Sequence, residues 1–439
     1  MDIVLCLILV LFSFLPAYCL GCFNLSRINY YTVMYWFSFV FCVIGAFIIR
    51  LGYVDDGFFI SPIHGNENAK IDGLLITVIS FLFFFLTIWF VEILNGRFEK
   101  RGRKSLFVNW NRFVYRPVEI SSQKTYYLMF FLTIIFCAYY IYSISPAPFM
   151  MAISGSSPTE VAIRRIAVTK DYEGVGYFKT IAQFLPVILC YYQVFRLHNN
   201  STSKLIVFGS FVFSSFILIV NGEKAPLIFF IIGFILCISV YRPLSRKILI
   251  YFTLMIFSFL VFLYILLFQF NDVDYLLKII IERVFVAQEA AVFYAADYFS
   301  NANYLGFSTL DNLITKVFGL VAEPRASELF MYKYLPDMVA NGGWNVNGYF
   351  GHESYSNFGW IGVFIGSIWG GATNSLLCIY LRATRKTEIT MAFYVFFSIS
   401  VTTLLSSFNL MLFNTQLILV FMFFIFFKCL DSFYTNVRS

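Results

Sequence analysis

The chain has 439 residues, 60% of them hydrophobic and only 13% charged, with a mean hydropathy of +0.79. Soluble proteins average about 25% charged residues, so this composition excludes a soluble globular enzyme and specifies a polytopic membrane protein. Its net charge of +7 first reports cytoplasmic loops, and no nucleic-acid partner is expected.

About eleven apolar runs are long enough to span a hydrocarbon core. They fall near 2–20, 31–49, 73–94, 125–145, 181–196, 205–221, 225–241, 248–269, 357–381, 390–407 and 410–428. The expected fold is all-α, a single polytopic membrane domain over 1–439. The first run is read as a retained helix: Asp2 precedes it, no Lys or Arg does, and no small-residue cleavage site follows. The 57 Phe residues suit lipid-facing surface and sheltered packing, and no site is read from them.

Basic residues set the orientation. The interval 95–124 carries Arg97, Lys100, Arg101, Arg103, Lys104, Arg112, Arg116 and Lys124 against Glu99 and Glu119. Arg242, Arg246 and Lys247 occupy a second short loop, and Arg382, Arg385 and Lys386 a third. With eleven spans these loops share one side with the C-terminal tail, and short basic loops stay cytoplasmic. The opposite, external side then holds the N-terminus, the loop 147–180 and the large late loop 271–356. The nine cysteines are scattered, and none lies in 50–72, 147–180 or 271–356, so no disulfide framework is expected there. Cys19-Leu-Gly-Cys22 has a C-x-x-C spacing without a second ligand pair and is assigned no metal or redox role.

Three external segments concentrate polar residues. In 156–179, Glu160 and Arg164 stand at i, i+4 on a short helix, a spacing that suits a surface ion pair. The adjacent Arg164-Arg165 is unusual for a short external loop. In the turn Asn221-Gly222-Glu223-Lys224-Ala225-Pro226, Lys224 stands at a helix N-terminus, which attracts anions, or snorkels to the interface. In the long loop, Tyr275–Tyr298 reads as an amphipathic helix that lies at the membrane surface or re-enters it. At 100° per residue, Lys278, Glu282 and Glu289 fall within about 40° of one another, flanked by Arg283 and Asp297. Arg325 follows in Ala322-Glu323-Pro324-Arg325.

The end of that loop, Gly342-Gly343-Trp344-Asn345-Val346-Asn347-Gly348-Tyr349-Phe350-Gly351-His352-Glu353, sets glycine-rich backbone beside aromatic rings and amides. Rings stack on pyranose faces and amides bond hydroxyls, so the segment suits sugar. His352 and Glu353 stand at the mouth of the next span. An H-E-x-x-H zinc motif is absent, because residue 356 is Ser, and metal is disfavoured. Gly362, Gly366 and Gly370 form a close-packing helix face.

The sequence resembles the O-antigen polymerase family, membrane enzymes that join lipid-linked oligosaccharide repeat units. Arg165 followed after ten residues by Gly176 matches an Arg-x10-Gly pattern of some members. Asn221-Gly222-Glu223-Lys224-Ala225-Pro226-Leu227 looks like the turn between their middle helices. Gly351-His352-Glu353-Ser354-Tyr355-Ser356-Asn357-Phe358-Gly359 looks like their segment opening a late helix. The chain departs from the pattern in having no second Arg-x10-Gly: Tyr294 stands at that spacing after Arg283, and Pro336 after Arg325.

The resemblance implies an undecaprenyl-pyrophosphate-linked glycan as donor and a second lipid-linked unit as acceptor. It also implies a chain-length regulator protein as partner and an inner-membrane location with the site facing the periplasm. No cofactor is expected. Cleaving the anomeric C–O bond makes an oxocarbenium-like centre and a departing pyrophosphate, which fixed cations must stabilise when no metal does so. Arg164, Arg165, Arg283 and Lys224 are the candidates, with Arg325, Trp344, Asn345 and Asn347 as further substrate contacts. Glu353 or His352 is the expected base for the acceptor hydroxyl, and Glu289 the reserve. An O-antigen ligase would share donor and mechanism. A flippase would carry charged residues inside its spans, where Glu92 is nearly the only one.

Overall fold

The computed structural model describes residues 2–98, 107–108, 110, 113, 116–169, 172–223, 225–255, 258, 278, 280–310, 312–340 and 345–436. Among these residues the chain is helical, and the only extended pairing is an isolated bridge between Glu119 and Thr387. Seven described helices are long and apolar enough to cross a membrane: Asp2–Cys19, Tyr30–Arg50, Glu67–Gly96, Gln123–Ser143, Gly176–His198, Gly351–Ala383 and Phe408–Thr435. Three shorter apolar helices, Lys204–Ile219, Ala225–Tyr241 and Glu388–Leu404, coincide with three more expected spans. Most of the remaining span, 248–269, lies outside the described residues.

The chain packs as two compact units. The first comprises Met1–Asn109, Leu244–Ile379 and Ser400–Phe413; the second comprises Trp110–Pro243, Tyr380–Ile399 and Asn414–Ser439.

In the first unit, Asp2–Cys19 and Ala290–Phe299 both pack against the long helix Glu67–Phe98. Asn29 opens the second helix with a capping box: its side chain accepts from Tyr31 N at 2.9 Å and Thr32 N at 3.0 Å, while Thr32 Oγ1 accepts from Asn29 N. Asp2 and Glu67 both engage Arg50, at 2.8 and 2.9 Å, so three helix ends gather at one end of the unit. Asn66, beside Glu67, donates to Asp297 at 2.5 Å. The N-terminus and the long polar interval therefore share that end, as expected.

The Gly351–Ala383 helix is broken at Phe358 and Gly359, the latter with φ of 61°. Beyond the break the expected small-residue face is used. A Cβ at Gly366 would meet the Phe408 ring at 3.1 Å, and one at Gly370 would meet Met411 Sδ at 2.5 Å. One at Gly371 would lie 2.6 Å from the Phe84 carbonyl oxygen.

In the second unit, Gly176–His198 packs against both Gln123–Ser143 and Lys204–Ile219. Gly233 lets the Tyr191 ring approach, and the Tyr191 hydroxyl donates to the Phe230 carbonyl at 2.9 Å. At one end of this unit, Lys386 Nζ donates to the carbonyls of Phe113 (3.0 Å), Arg116 (2.9 Å) and Val240 (3.4 Å). Arg385 pairs with Glu119, and Glu119 N donates to Lys386 O at 2.8 Å. Parts of the 95–124 and 382–386 loops thus meet the last turn of the Ala225–Tyr241 helix at one end.

Candidate functional site

The long polar interval does not form one amphipathic helix over its described part. A π-turn over Glu282–Val286 leads into a turn, and a new helix, Ala290–Phe299, begins after Glu289. The cause is packing. Ala290, Ala291, Ala295 and Ala296 are buried, and the Phe293 ring lies where a Cβ on Gly73 would stand. Such a helix sits inside the unit, not on a solvated surface. The charged stripe dissolves accordingly: Lys278 and Arg283 are exposed, while Glu289 is enclosed.

Glu289, His352 and Glu353 are 0, 1 and 2% exposed. Glu289 accepts the Tyr349 N–H at 3.1 Å and is bonded to Thr77 Oγ1. Burial pushes its carboxyl up to about 8, and the Thr77 and Tyr349 bonds only partly oppose that shift. The Thr77 hydroxyl also lies 3.1 Å from the Gly73 carbonyl. A hydroxyl has one hydrogen, so Thr77 divides its donation between the Glu289 carboxyl and the Gly73 carbonyl.

Tyr349 joins Glu289 to His352. Its carbonyl faces His352 Nδ1 at 2.8 Å, so Nδ1 carries the hydrogen. Among the described residues, His352 Nε2 and Ser80 Oγ are buried in this unit without a hydrogen-bond partner. The Glu353 carboxylate is taken up by the Ser407 hydroxyl and by Asn409 N at 2.9 Å, the first turn of the short helix Phe408–Leu412. The three groups read from sequence as bases are therefore walls of the unit, bonded to its own chain.

Glu289 and His352 bond to a strap, residues 345–350, whose backbone is tied on four sides. Ala291 N donates to Asn347 O at 3.0 Å, Val346 N to Ser327 O at 3.1 Å and Phe350 N to Leu405 O at 2.7 Å, besides the Tyr349–Glu289 bond. Gly348 is required there, since a Cβ would lie 2.8 Å from Ala291 Cβ. Asn345 and Asn347 are exposed on the strap, and Asn347 Nδ2 lies 3.5 Å from Gln288 Oε1. Tyr349 and Phe350 are buried and offer no ring to a sugar. Arg283 is exposed with its guanidinium 5.2 Å from the Phe59 ring. Arg325 is half-buried at the N-cap of Ala326–Tyr334. Lys224 and Trp344 lie outside the described residues.

The second unit holds Arg164 and Arg165 on the helix Pro158–Thr169. Arg164 turns to backbone: it donates to the carbonyls of Pro146 (3.0 Å), Ser145 (2.9 Å) and Ile144 (3.3 Å). Glu160 closes a capping box with Ser157, its carboxylate accepting Ser157 N at 3.0 Å. The expected i, i+4 partners thus engage other groups. Arg165 is exposed, and its Cδ lies 3.6 Å from where a Cβ on Gly222 would stand. Phe149 N donates to Val220 O at 3.2 Å. The 147–180 loop and the 221–223 turn, distant in sequence, are in contact.

Sequence reasoning gave no role to Lys179, which donates to the carbonyls of Val168 (2.9 Å) and Thr169 (3.1 Å) and closes the C-terminal end of the arginine-bearing helix. It also missed Lys70, 2% exposed and paired with Asp55 at 2.8 Å and Glu67 at 3.2 Å. A lysine opening an apolar run beside two acids was the available signal. Cys19 and Cys22 are buried free thiols. Among the described residues no three His, Cys, Asp or Glu side chains cluster as a metal site.

No protein-family model, curated protein or solved structure matches the chain.

Proposed function

We propose that the protein is a glycosyltransferase that polymerises undecaprenyl-pyrophosphate-linked oligosaccharide units at the external face of the bacterial inner membrane. The observation that carries this reading is the contact between Arg165 and the Gly222 turn. It brings together two of the three stretches on which the resemblance to O-antigen polymerases rests. Arg164 and Lys179 hold the helix by its neighbouring carbonyls, which leaves the exposed Arg165 fork for diphosphate oxygens.

In the first unit, Arg283 is an exposed cation, and Asn345 and Asn347 are exposed amides for sugar hydroxyls. Glu289 and His352 hold the strap that presents the amides.

Deletion in the native host tests the reading. A polymerase deletion leaves lipopolysaccharide capped with one repeat unit, and Arg165→Ala reproduces that phenotype at normal protein level. Normal ladders with Arg165→Ala would remove this residue from the site. A transporter of lipid-linked oligosaccharide is favoured by one observation: Lys70 and Glu289 are ionisable groups enclosed in the first unit. Loss of every repeat unit on deletion would point to a transporter or a ligase instead.

A further inference from the structure

The first unit carries an apolar lobe that the proposed reaction does not use. Val317, Phe318 and Val321 are 77, 67 and 84% exposed, with Phe307 and Leu320 exposed beside them. The lobe has a defined shape. Gly319, with φ of 64°, closes the helix Asn312–Val317: its N–H donates to Lys316 O at 3.2 Å, and Leu320 N donates to Thr315 O at 2.9 Å. The base is shut by Ser308, whose hydroxyl donates to Glu323 at 3.0 Å and whose carbonyl accepts Glu323 N at 2.9 Å.

Its position against the Gly351–Ala383 helix is equally fixed. Leu305 N and Gly306 N donate to Ser356 O and Asn357 O, each at 2.9 Å. Thr309 Oγ1 donates to Asn357 Oδ1 at 2.9 Å, and Asn409 Nδ2 donates to Thr309 O at 2.9 Å. Phe307 links the lobe to that helix, stacking with Phe318 at 6.2 Å and meeting the Phe358 ring edge-on at 4.9 Å. From Phe358 onward the same helix exposes Ile361, Ile365, Ile368 and Trp369. On a helix long and apolar enough to cross a membrane, such residues face acyl chains.

We propose that this lobe inserts into the bilayer, in the leaflet where the Gly351–Ala383 helix begins its crossing, with Val317, Phe318, Leu320 and Val321 at the boundary of headgroups and acyl chains. The occupant is lipid because ring contacts through Phe307 and Phe358 join the lobe to a membrane helix that exposes Ile361, Ile365, Ile368 and Trp369. Exposed Lys316 at the rim suits a headgroup phosphate, as basic residues at membrane interfaces do. A water-facing lobe with this many exposed apolar side chains has no comparable stabilisation.

The test uses single-cysteine variants Val317→Cys and Val321→Cys on a Cys429→Ser background, Cys429 being the exposed native thiol. Each is labelled with an environment-sensitive fluorophore in full-length protein in lipid nanodiscs. Lys333→Cys, exposed on the helix Ala326–Tyr334, is the aqueous reference. The expected result is blue-shifted emission at 317 and 321, quenched at least about twofold more by nitroxide-bearing lipid than at 333, and shielded from iodide. Iodide quenching at 317 and 321 equal to that at 333 would overturn the proposal. So would insensitivity to both quenchers, which would mean that a protein or a second copy covers the lobe.

Discussion

The Tyr349 N–H donates to the Glu289 carboxylate at 3.1 Å, a bond between residues sixty positions apart. It fastens the strap of exposed amides to the start of a buried helix. Because the carboxyl is raised from 4.5 to about 8, the folded protein holds a proton between those values that the unfolded chain releases. Its contribution to stability is complete below the lower value, falls as pH rises through the window, and is flat above about 8. Glu289→Gln keeps an acceptor for Tyr349 and removes the titration. Thermal unfolding in detergent between pH 5 and 9 should show wild type losing more stability toward pH 9 than the variant. Equal slopes would show that Glu289 does not carry the proton.

Glu353 separates a fastening role from a catalytic one. Glu353→Ala leaves the Ser407 hydroxyl and the Asn409 N–H buried without their acceptor, at a cost of about 1–3 kcal/mol. Glu353→Gln keeps one acceptor and costs less. If Glu353 only fastens, the Gln variant retains chain extension in proportion to folded protein. If it is the base, Gln abolishes extension with unfolding temperature nearly unchanged.

Arg164 and Arg165 should part in the same way. Arg164→Ala forfeits three bonds to carbonyls and should lower stability by about 1–2 kcal/mol. Arg165→Ala should leave unfolding unchanged and abolish extension. A stability loss at 165 equal to that at 164 would assign both arginines to structure.

The glycine face of the Gly351–Ala383 helix predicts a packing effect. Gly371→Ala places a Cβ 2.6 Å from the Phe84 carbonyl oxygen and 2.9 Å from Thr87 Cβ, and backbone yields little. A loss of about 1–3 kcal/mol is expected. Gly209→Ala, where nothing lies within 4 Å, should be neutral or slightly stabilising, since Ala favours helix. Unfolding of the two variants side by side checks this.

The helices were legible in the sequence because each is an apolar run bounded by polar or turn residues, and hydropathy reads that directly. Gly366 and Gly370 were legible as packing positions because i, i+4 spacing puts them on one helix face. The enclosure of Glu289, His352 and Glu353 was not. Their covers are Thr77, Ser407 and Asn409, residues up to about two hundred positions away, and no local period reports them. The helical stripe through Lys278, Glu282 and Glu289 assumed an unbroken helix, but the chain turns at 287–289 and the alanine-rich helix after Glu289 packs inward. Arg165 stood out because cations are disfavoured in short external loops. That Arg164 beside it caps the backbone depended on the path of 144–146, which spacing does not encode.

The most direct measurement is extension in vitro. Purified protein in proteoliposomes is supplied with undecaprenyl-pyrophosphate-linked repeat units, and lipid-linked products are resolved by size. A polymerase yields a ladder of lengthened chains with wild type and none with Arg165→Ala at equal folded protein. Unextended units in the wild-type reaction, with the same units carried across the bilayer, would contradict the polymerase reading and leave a transporter in its place.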